Sequence, residues 1–320
     1  MISIITPYYN SRNYIEKLIQ SLEKQTDKDF EWIIINDFSK NEEKNFLKEK
    51  LSELRINYIY LENIQNEGVG RSRNKGIENA NGDYIVFVDS DDYISVDFIE
   101  NIKEILVKEE PEVLFFDYYR VKKKKLIYCN ILKKIDDRAV SKKEALIYMK
   151  GNVCGKVIKK EIVISNKLRF STLKRFEDWL FMVELLTKVN KIIYLKKGLY
   201  YYYINSTSVT QINKESALLY SIQAFKILKN KLEKKEEYLD MIKIFYMREV
   251  IYISIKEYLL GREKDILKIN WQDILEYKNI LIKYSGAFDF HQKIMLWIYL
   301  KRCFYIFRII MLIMSKYKRK

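Results

Sequence analysis

Short apolar runs alternate with helix-period segments over residues 1–108. Residues 2–6, 30–36, 57–61 and 84–88 are apolar runs of strand length, bounded by polar turns. Between them, residues 12–25 set Ile15, Leu18, Ile19 and Leu22 on one helical face, and 41–54, 69–80 and 96–108 read as further helices. Asn81-Gly82 stops the third of these. This βαβαβαβ order predicts an α/β fold with a mostly parallel central sheet and helices on both faces. From 112 to about 210 the pattern is mixed, with strands expected at 113–118, 126–132, 192–195 and 199–204 and helices at 142–149 and 178–189. Tyr200 to Tyr203 are four consecutive tyrosines, read as a buried β segment in preference to an aromatic platform for sugar. From 211 onward the pattern is helical. The expected organisation is an α/β domain over 1–210 and a helical region over 211–320.

Composition narrows the chemistry. Hydrophobic content of 48% supplies ample core, and Lys+Arg 58 against Asp+Glu 43 gives a net charge of +15. Such an excess implies an anionic partner. The cations are scattered except at the tail and no nucleic-acid-binding module appears, so nucleic acid is set aside as partner. Residues 301–320 hold seven Lys or Arg and no acid, behind an apolar and aromatic run over 294–314. Lys301, Arg302 and Arg308 interrupt that run, which disfavours a spanning helix and suits one lying on an anionic membrane surface. The N-terminus reads as a first strand and not as a signal peptide. Cys129, Cys154 and Cys303 have neither metal-ligand spacing nor a disulfide pattern, which fits a reducing compartment. The expected location is cytoplasmic, peripheral on the inner face of the cell membrane. The single histidine, His291, excludes Ser-His-Asp and multi-histidine zinc chemistry, so a carboxylate is left as general base.

Candidate chemistry gathers at the ends of the first four strands. Thr6-Pro7-Tyr8-Tyr9-Asn10 follows the first, with Pro7 ending its ladder and Tyr9 offering a flat face for a base. Asn36-Asp37-Phe38-Ser39 follows the second. Asn66-Glu67-Gly68-Val69-Gly70-Arg71-Ser72-Arg73 follows the third and opens a helix, a setting that favours anions. Asp89-Ser90-Asp91-Asp92 follows the fourth. Carboxylates this close repel unless a cation sits among them. A divalent ion carrying phosphates would resolve the conflict, and a solvated acidic turn is the alternative. All four sites lie on one edge of one sheet, where open α/β folds bind ligands.

These four segments, in order and spacing, resemble the family 2 glycosyltransferases. The likeness continues more loosely through Phe176-Glu177-Asp178-Trp179 and Ser208-Val209-Thr210. It implies a GT-A fold and an inverting, metal-dependent transfer from a nucleotide-diphospho-sugar, expected to be a UDP-sugar. The acceptor would be a hydroxyl of a glycan or polyprenyl-diphosphate-linked molecule in cell-surface polysaccharide synthesis of the capsule or lipopolysaccharide kind, and the cofactor Mn²⁺ or Mg²⁺. By motif, Asp37 resembles the uracil or ribose ligand, and Thr6, Pro7, Tyr9 and Ser90 the nucleotide pocket. Asn66 and Arg73 resemble base-side or phosphate-side contacts. Asp89 and Asp91 resemble the metal pair, with Asp89 nearer the ribose, and Asp92 would face the donor sugar. Asp178 resembles the catalytic base, with Glu177 and Trp179 shaping the acceptor site. An N-cap role for Asp178 is compatible with that. Lys156 reads equally as an acceptor or phosphate contact and as a solvated lysine. A catalytically inactive, membrane-associated sugar-nucleotide-binding or scaffold protein is the competing function, and homo-oligomerisation is left open.

Overall fold

The computed structural model describes residues 1–122, 125–132, 135–149, 151–204, 217–259 and 271–301. The chain falls into two compact units, Met1–Ser208 and Val209–Lys320.

The first unit is built on one twisted sheet. Its elements run β1 (Ile2–Tyr8), α1 (Arg12–Glu23), β2 (Phe30–Asn36), α2 (Asn41–Ser52), β3 (Tyr58–Glu62), α3 (Val69–Glu78), β4 (Tyr84–Phe87), β5 (Tyr93–Ile94) and α4 (Phe98–Glu109). Then follow β6 (Val113–Lys122), β7 (Lys125–Cys129), β8 (Arg138–Val140), α5 (Lys142–Tyr148), β9 (Lys156–Lys159), α6 (Lys160–Ser165), α7 (Glu177–Leu186) and β10 (Ile192–Tyr203). The sheet order is β3-β2-β1-β4-β9-β6-β10-β5, with β7 added beside β6 and β8 beside β10. The ladders β3-β2-β1-β4 are parallel. Helices cover both faces there, so β2 is buried from end to end, Ile33, Ile34 and Ile35 included. From β1 the chain runs outward to β3, then returns to place β4 on the other side of β1. That reversal is the switch point at which such sheets open a crevice.

The alternating first half conforms to the sequence pattern, and the differences have physical causes. The parallel arrangement expected for the sheet is confined to β3-β2-β1-β4 and the β6–β10 pair. β9 enters between β4 and β6 antiparallel to both, and its four residues were too short a run to read as a strand. β1 continues through Pro7 to Tyr8 and does not stop at the proline. Val88 N–H bonds Ile5 O on the β4 side and Asp37 N–H bonds Tyr8 O on the β2 side. By alternation Pro7 faces the β4 side, beyond the last β4 bond, so its missing N–H leaves no gap. The two strands expected over 192–204 are one, β10, with register shifts at Gly198. A Cβ there would lie 2.4 Å from the Tyr119 ring, so glycine lets the strand bulge past it.

The second unit is helical among its described residues: α8 (Ala217–Leu232), α9 (Leu239–Phe245), a π-helical turn (Tyr246–Ile251), α10 (Tyr252–Leu259), α11 (Trp271–Lys283) and α12 (Phe290–Leu300). His291 is exposed on α12. No described helix is long and apolar enough to cross a membrane. The basic tail beyond Lys301 and the segment Ser208-Val209-Thr210 lie outside the described residues.

Candidate active site

The crevice is organised by Asp37, at the end of β2. Its carboxylate is 3% exposed and accepts from Asn63 Nδ2, Glu67 N and Gly68 N, each at 2.8 Å. Asn66 Nδ2 donates to Asp37 O at 3.2 Å. Asp37 therefore holds the glycine-rich loop in place, and its carboxylate is turned to that loop. Gly68 precedes α3 with φ 87, a conformation costly for any side chain. Asn66 is exposed on the loop and Tyr9 is 52% exposed at the end of β1, so both are open to a ligand. Thr6 is fully buried, and its Oγ1 accepts from Trp32 Nε1 at 3.0 Å. Its side chain belongs to the core, not to the nucleotide pocket as expected. Ser90 is also buried, donating to Ser11 Oγ at 2.9 Å, which pins the acidic turn to the start of α1.

The acidic turn resolves its own repulsion in two ways. Arg73 on α3, 4% exposed, donates through Nη2 to Asp89 Oδ1 at 2.9 Å and through Nη1 to Glu177 Oε1 at 3.1 Å. Burial works against its charge, but Asp89 and Glu177 outweigh it and its pKa rises. Arg73 is thus engaged by protein carboxylates through both Nη atoms, while its buried Nε has no hydrogen-bond partner among the described residues. Asp89 Oδ2 also accepts from Cys154 Sγ at 3.5 Å. Asp92 is fully buried, which removes it from the donor-sugar position. Its Oδ2 accepts from Tyr200 OH at 2.5 Å and its Oδ1 from Tyr203 N at 2.7 Å. Burial, then Asp91 and Asp89, hold its carboxyl well above the usual range. The tyrosine run thus carries the acidic turn. Asp89 N donates to Tyr200 OH at 3.3 Å. Tyr202 is pushed up to about 12 by burial and then by Asp92, Asp91 and Asp89. Only Tyr200's position in a run of tyrosines hinted at this, since nothing marks which one faces the acids.

The third part of the site is the start of α7. Asn74 clamps the approach to it. Its Nδ2 donates to Phe170 O at 3.0 Å and its Oδ1 accepts from Phe170 N at 2.9 Å. Asn74 lies inside the glycine-rich motif but no role could be read for it, because its partner is a backbone strip 96 residues away. The helix is preceded by Phe176 in the left-handed region, φ 66, so Phe176 and not Asp178 is the N-cap. Asp178 lies in the first turn, where Trp179 N donates to its Oδ1 at 2.7 Å. Its carboxyl is pushed up to about 7, chiefly by burial and then by Glu177, against the pull of Arg73. Glu177 and Trp179, expected to shape the acceptor site, are buried at the head of this helix. Glu177 holds Arg73, and Trp179 packs where a Cβ on Gly151 would lie 2.0 Å from its ring. Lys156 is fully buried on β9, donating to Asn152 and to Cys154 O. It is a structural lysine, not an acceptor contact.

Among the described residues no group of three or more His, Cys, Asp or Glu side chains is placed to hold a metal by itself. Asp89 has both oxygens engaged. Asp91, the other carboxylate of the expected metal pair, is half-buried beside it. One or two carboxylates fit a hard cation such as Mg²⁺ or Mn²⁺ when phosphate oxygens and water complete the shell.

A switch-point crevice with an acidic turn on β4, a glycine-opened helix on α3 and a carboxylate at the head of α7 defines a GT-A fold. Residues 3–152 match the family model Glycosyl transferase family 2. Glycosyltransferase GlyA of Streptococcus pneumoniae is 30% identical over 223 residues, 66% of this chain and 32% of that protein. Poly(ribitol-phosphate) beta-N-acetylglucosaminyltransferase TarS of Staphylococcus aureus is 27% identical over 203 residues, 62% of this chain and 35% of that one. This chain thus spans about a third of the length of those relatives. The crystal structure of S. aureus TarS 1-349 in complex with UDP-GlcNAc shares the fold, with a TM-score of 0.66 over 89% of this chain and 81% of that one at 22% identity.

Proposed function

We propose that the protein transfers a sugar from a nucleotide-diphospho-sugar, a UDP-sugar in the first instance, to a hydroxyl of a glycan or lipid-linked acceptor in cell-surface polymer synthesis. The observation that carries this reading is the Glu177–Arg73–Asp89 chain of ion pairs. It ties the turn that would meet the diphosphate to the helix that presents Asp178. The TarS structures holding UDP and UDP-GlcNAc support the donor class.

In this reading Tyr9 and the loop at Asn66 flank the base, and the N-terminus of α3 faces the phosphates. Asp91, with Asp89 behind it, would hold Mg²⁺ or Mn²⁺. When bound, that ion supplies positive charge against the departing diphosphate. Asp178 removes the proton from the acceptor hydroxyl as that oxygen attacks the anomeric carbon from the face opposite the diphosphate. The attack forms one C–O bond, breaks the C–O bond to the diphosphate, and inverts the anomeric centre. A carboxyl poised near 7 suits a base at neutral pH. The basic tail would hold the enzyme beside a lipid-linked acceptor, and deleting 302–320 with membrane fractionation tests that anchor.

The decisive experiment offers a panel of nucleotide sugars to the purified chain with Mn²⁺, with Mg²⁺ and with a chelator, and follows release of the nucleoside diphosphate. Turnover of one donor that is lost with chelator and in Asp91→Ala supports the reading. Turnover untouched by both overturns its metal dependence, and no donor bound at all overturns the function.

A further inference from the structure

We infer that the β6–β7 hairpin is a contact surface for an anionic lipid bilayer. This rests on neither the transferase reading nor the tail. Between Asp117 and Asp136 the sequence holds seven Lys or Arg and no acid; of these the described Arg120, Lys122 and Lys125 are exposed on β6 and β7. The cations are therefore not confined to the tail. Directly behind them, Leu126, Ile127 and Tyr128 are 55%, 51% and 42% exposed. Among the described residues they are the one run of three adjacent exposed large apolar side chains. Exposed Leu and Ile have no use for a nucleic-acid phosphate, whereas an interface of headgroups and acyl chains takes both kinds of side chain.

The pairing puts Leu126 and Tyr128 on one face and the cations, with Ile127 among them, on the other. Cross-strand neighbours Tyr119–Tyr128 and Val121–Leu126 share one face, and Arg120–Ile127 and Lys122–Lys125 share the other. The first face continues across the sheet as a row of rings. Tyr128 meets Tyr119 at 5.4 Å, Tyr119 stacks on Tyr201 at 5.3 Å, and Tyr201 stacks on Tyr93 at 4.7 Å. Tyr93 directly follows Asp92, so the row leads from the hairpin to the acidic turn. β7 pairs with β6 alone, and an open edge is not tolerated in hydrocarbon. The hairpin therefore lies at headgroup depth. Its Tyr and Leu face turns inward, and Lys and Arg reach lipid phosphates along their flexible stems.

The test uses the full chain with vesicles of phosphatidylcholine alone or mixed with phosphatidylglycerol. Binding should require the anionic lipid and weaken with salt. The triple variant Arg120→Gln, Lys122→Gln, Lys125→Gln should bind about a hundredfold less, from about fivefold per cation, with its melting temperature kept as the check on folding. In Leu126→Trp, lipids with brominated tails should quench the added emission in anionic vesicles only. Four results overturn the inference: a triple variant that binds unchanged, a triple variant that merely aggregates because its lysines only shielded the edge, emission of the introduced indole left unquenched while the chain is bound, or single-stranded DNA bound in place of vesicles.

Discussion

Asp178→Asn separates the proposed base from a merely buried acid. Raising this carboxyl from 3.8 to about 7 costs its ionised form about 4 kcal/mol in the folded chain. The cost is absent below the unfolded value near 4, grows as pH rises, and is complete above about 7. Because Glu177 shares in the effect, 4 kcal/mol is a ceiling. At pH 8 the isosteric, uncharged Asn removes this cost. At roughly 2–4 °C per kcal/mol for a unit of this size, the variant should melt several degrees higher at pH 8. At pH 5 the folded carboxyl is protonated while the unfolded one is already ionised, so only part of the cost remains and the melting difference should shrink to less than half of that at pH 8. Transfer should fall by about 10²–10⁴-fold, the usual loss for a general base, while nucleotide-sugar binding by calorimetry stays near that of the parent. The parent's own rate should rise with pH through about 7 as Asp178 becomes ionised. A melting difference equal at pH 5 and pH 8 would refute the electrostatic argument. Full transfer in the variant would remove Asp178 as base.

Arg73→Met leaves the carboxylates of Asp89 and Glu177 without their cation and should cost about 3–5 kcal/mol in denaturant unfolding. Adding Glu177→Leu to it should restore part of that. Tyr200→Phe removes the donor to Asp92 and the acceptor for Asp89 N. It should destabilise the first unit by about 1–3 kcal/mol and leave the ranking of donor sugars unchanged, since Asp92 is buried. Gly76→Ala brings a Cβ to 2.4 Å from Ile5 Cγ2. Thermal melting should show a loss of about 1–3 kcal/mol as α3 lifts from the sheet.

The α/β alternation and the four strand-end segments were legible because each strand there is an unbroken apolar run and each helix keeps its 3.6 period. β9 was not. Lys156-Val157-Ile158-Lys159 carries only two apolar residues, and its place between β4 and β6 is set by a pairing distant in sequence. The site residues were legible as a set and not as roles. Asp37, Asp89, Asp91 and Asp178 read as polar groups at strand and helix ends, and the structure places them there. Which of them faces a ligand depends on partners far along the chain. Asp37 is claimed by a loop 26 to 31 residues on, Arg73 by Glu177 across 104 residues, and Asp92 by Tyr200 across 108. Ion pairing at long range leaves no periodicity to read.

The acidic turn shows why three carboxylates within four residues need not imply three metal ligands. Asp92 escapes the repulsion by burial beside Tyr200, where its carboxyl is held well above the usual range. Asp89 escapes it by pairing with Arg73. Under the proposed function Asp91, half-buried at the same turn, would meet the cation, and one or two carboxylates suffice for an ion that arrives with a diphosphate. The same Arg73 holds Glu177, whose charge, after burial, lifts Asp178 toward neutrality. Under the proposed function, the guanidinium that stabilises the donor-side turn also fixes the residue that tunes the base. The two halves of the reaction are then coupled through one buried cation, and neither half can be altered at Arg73 without the other.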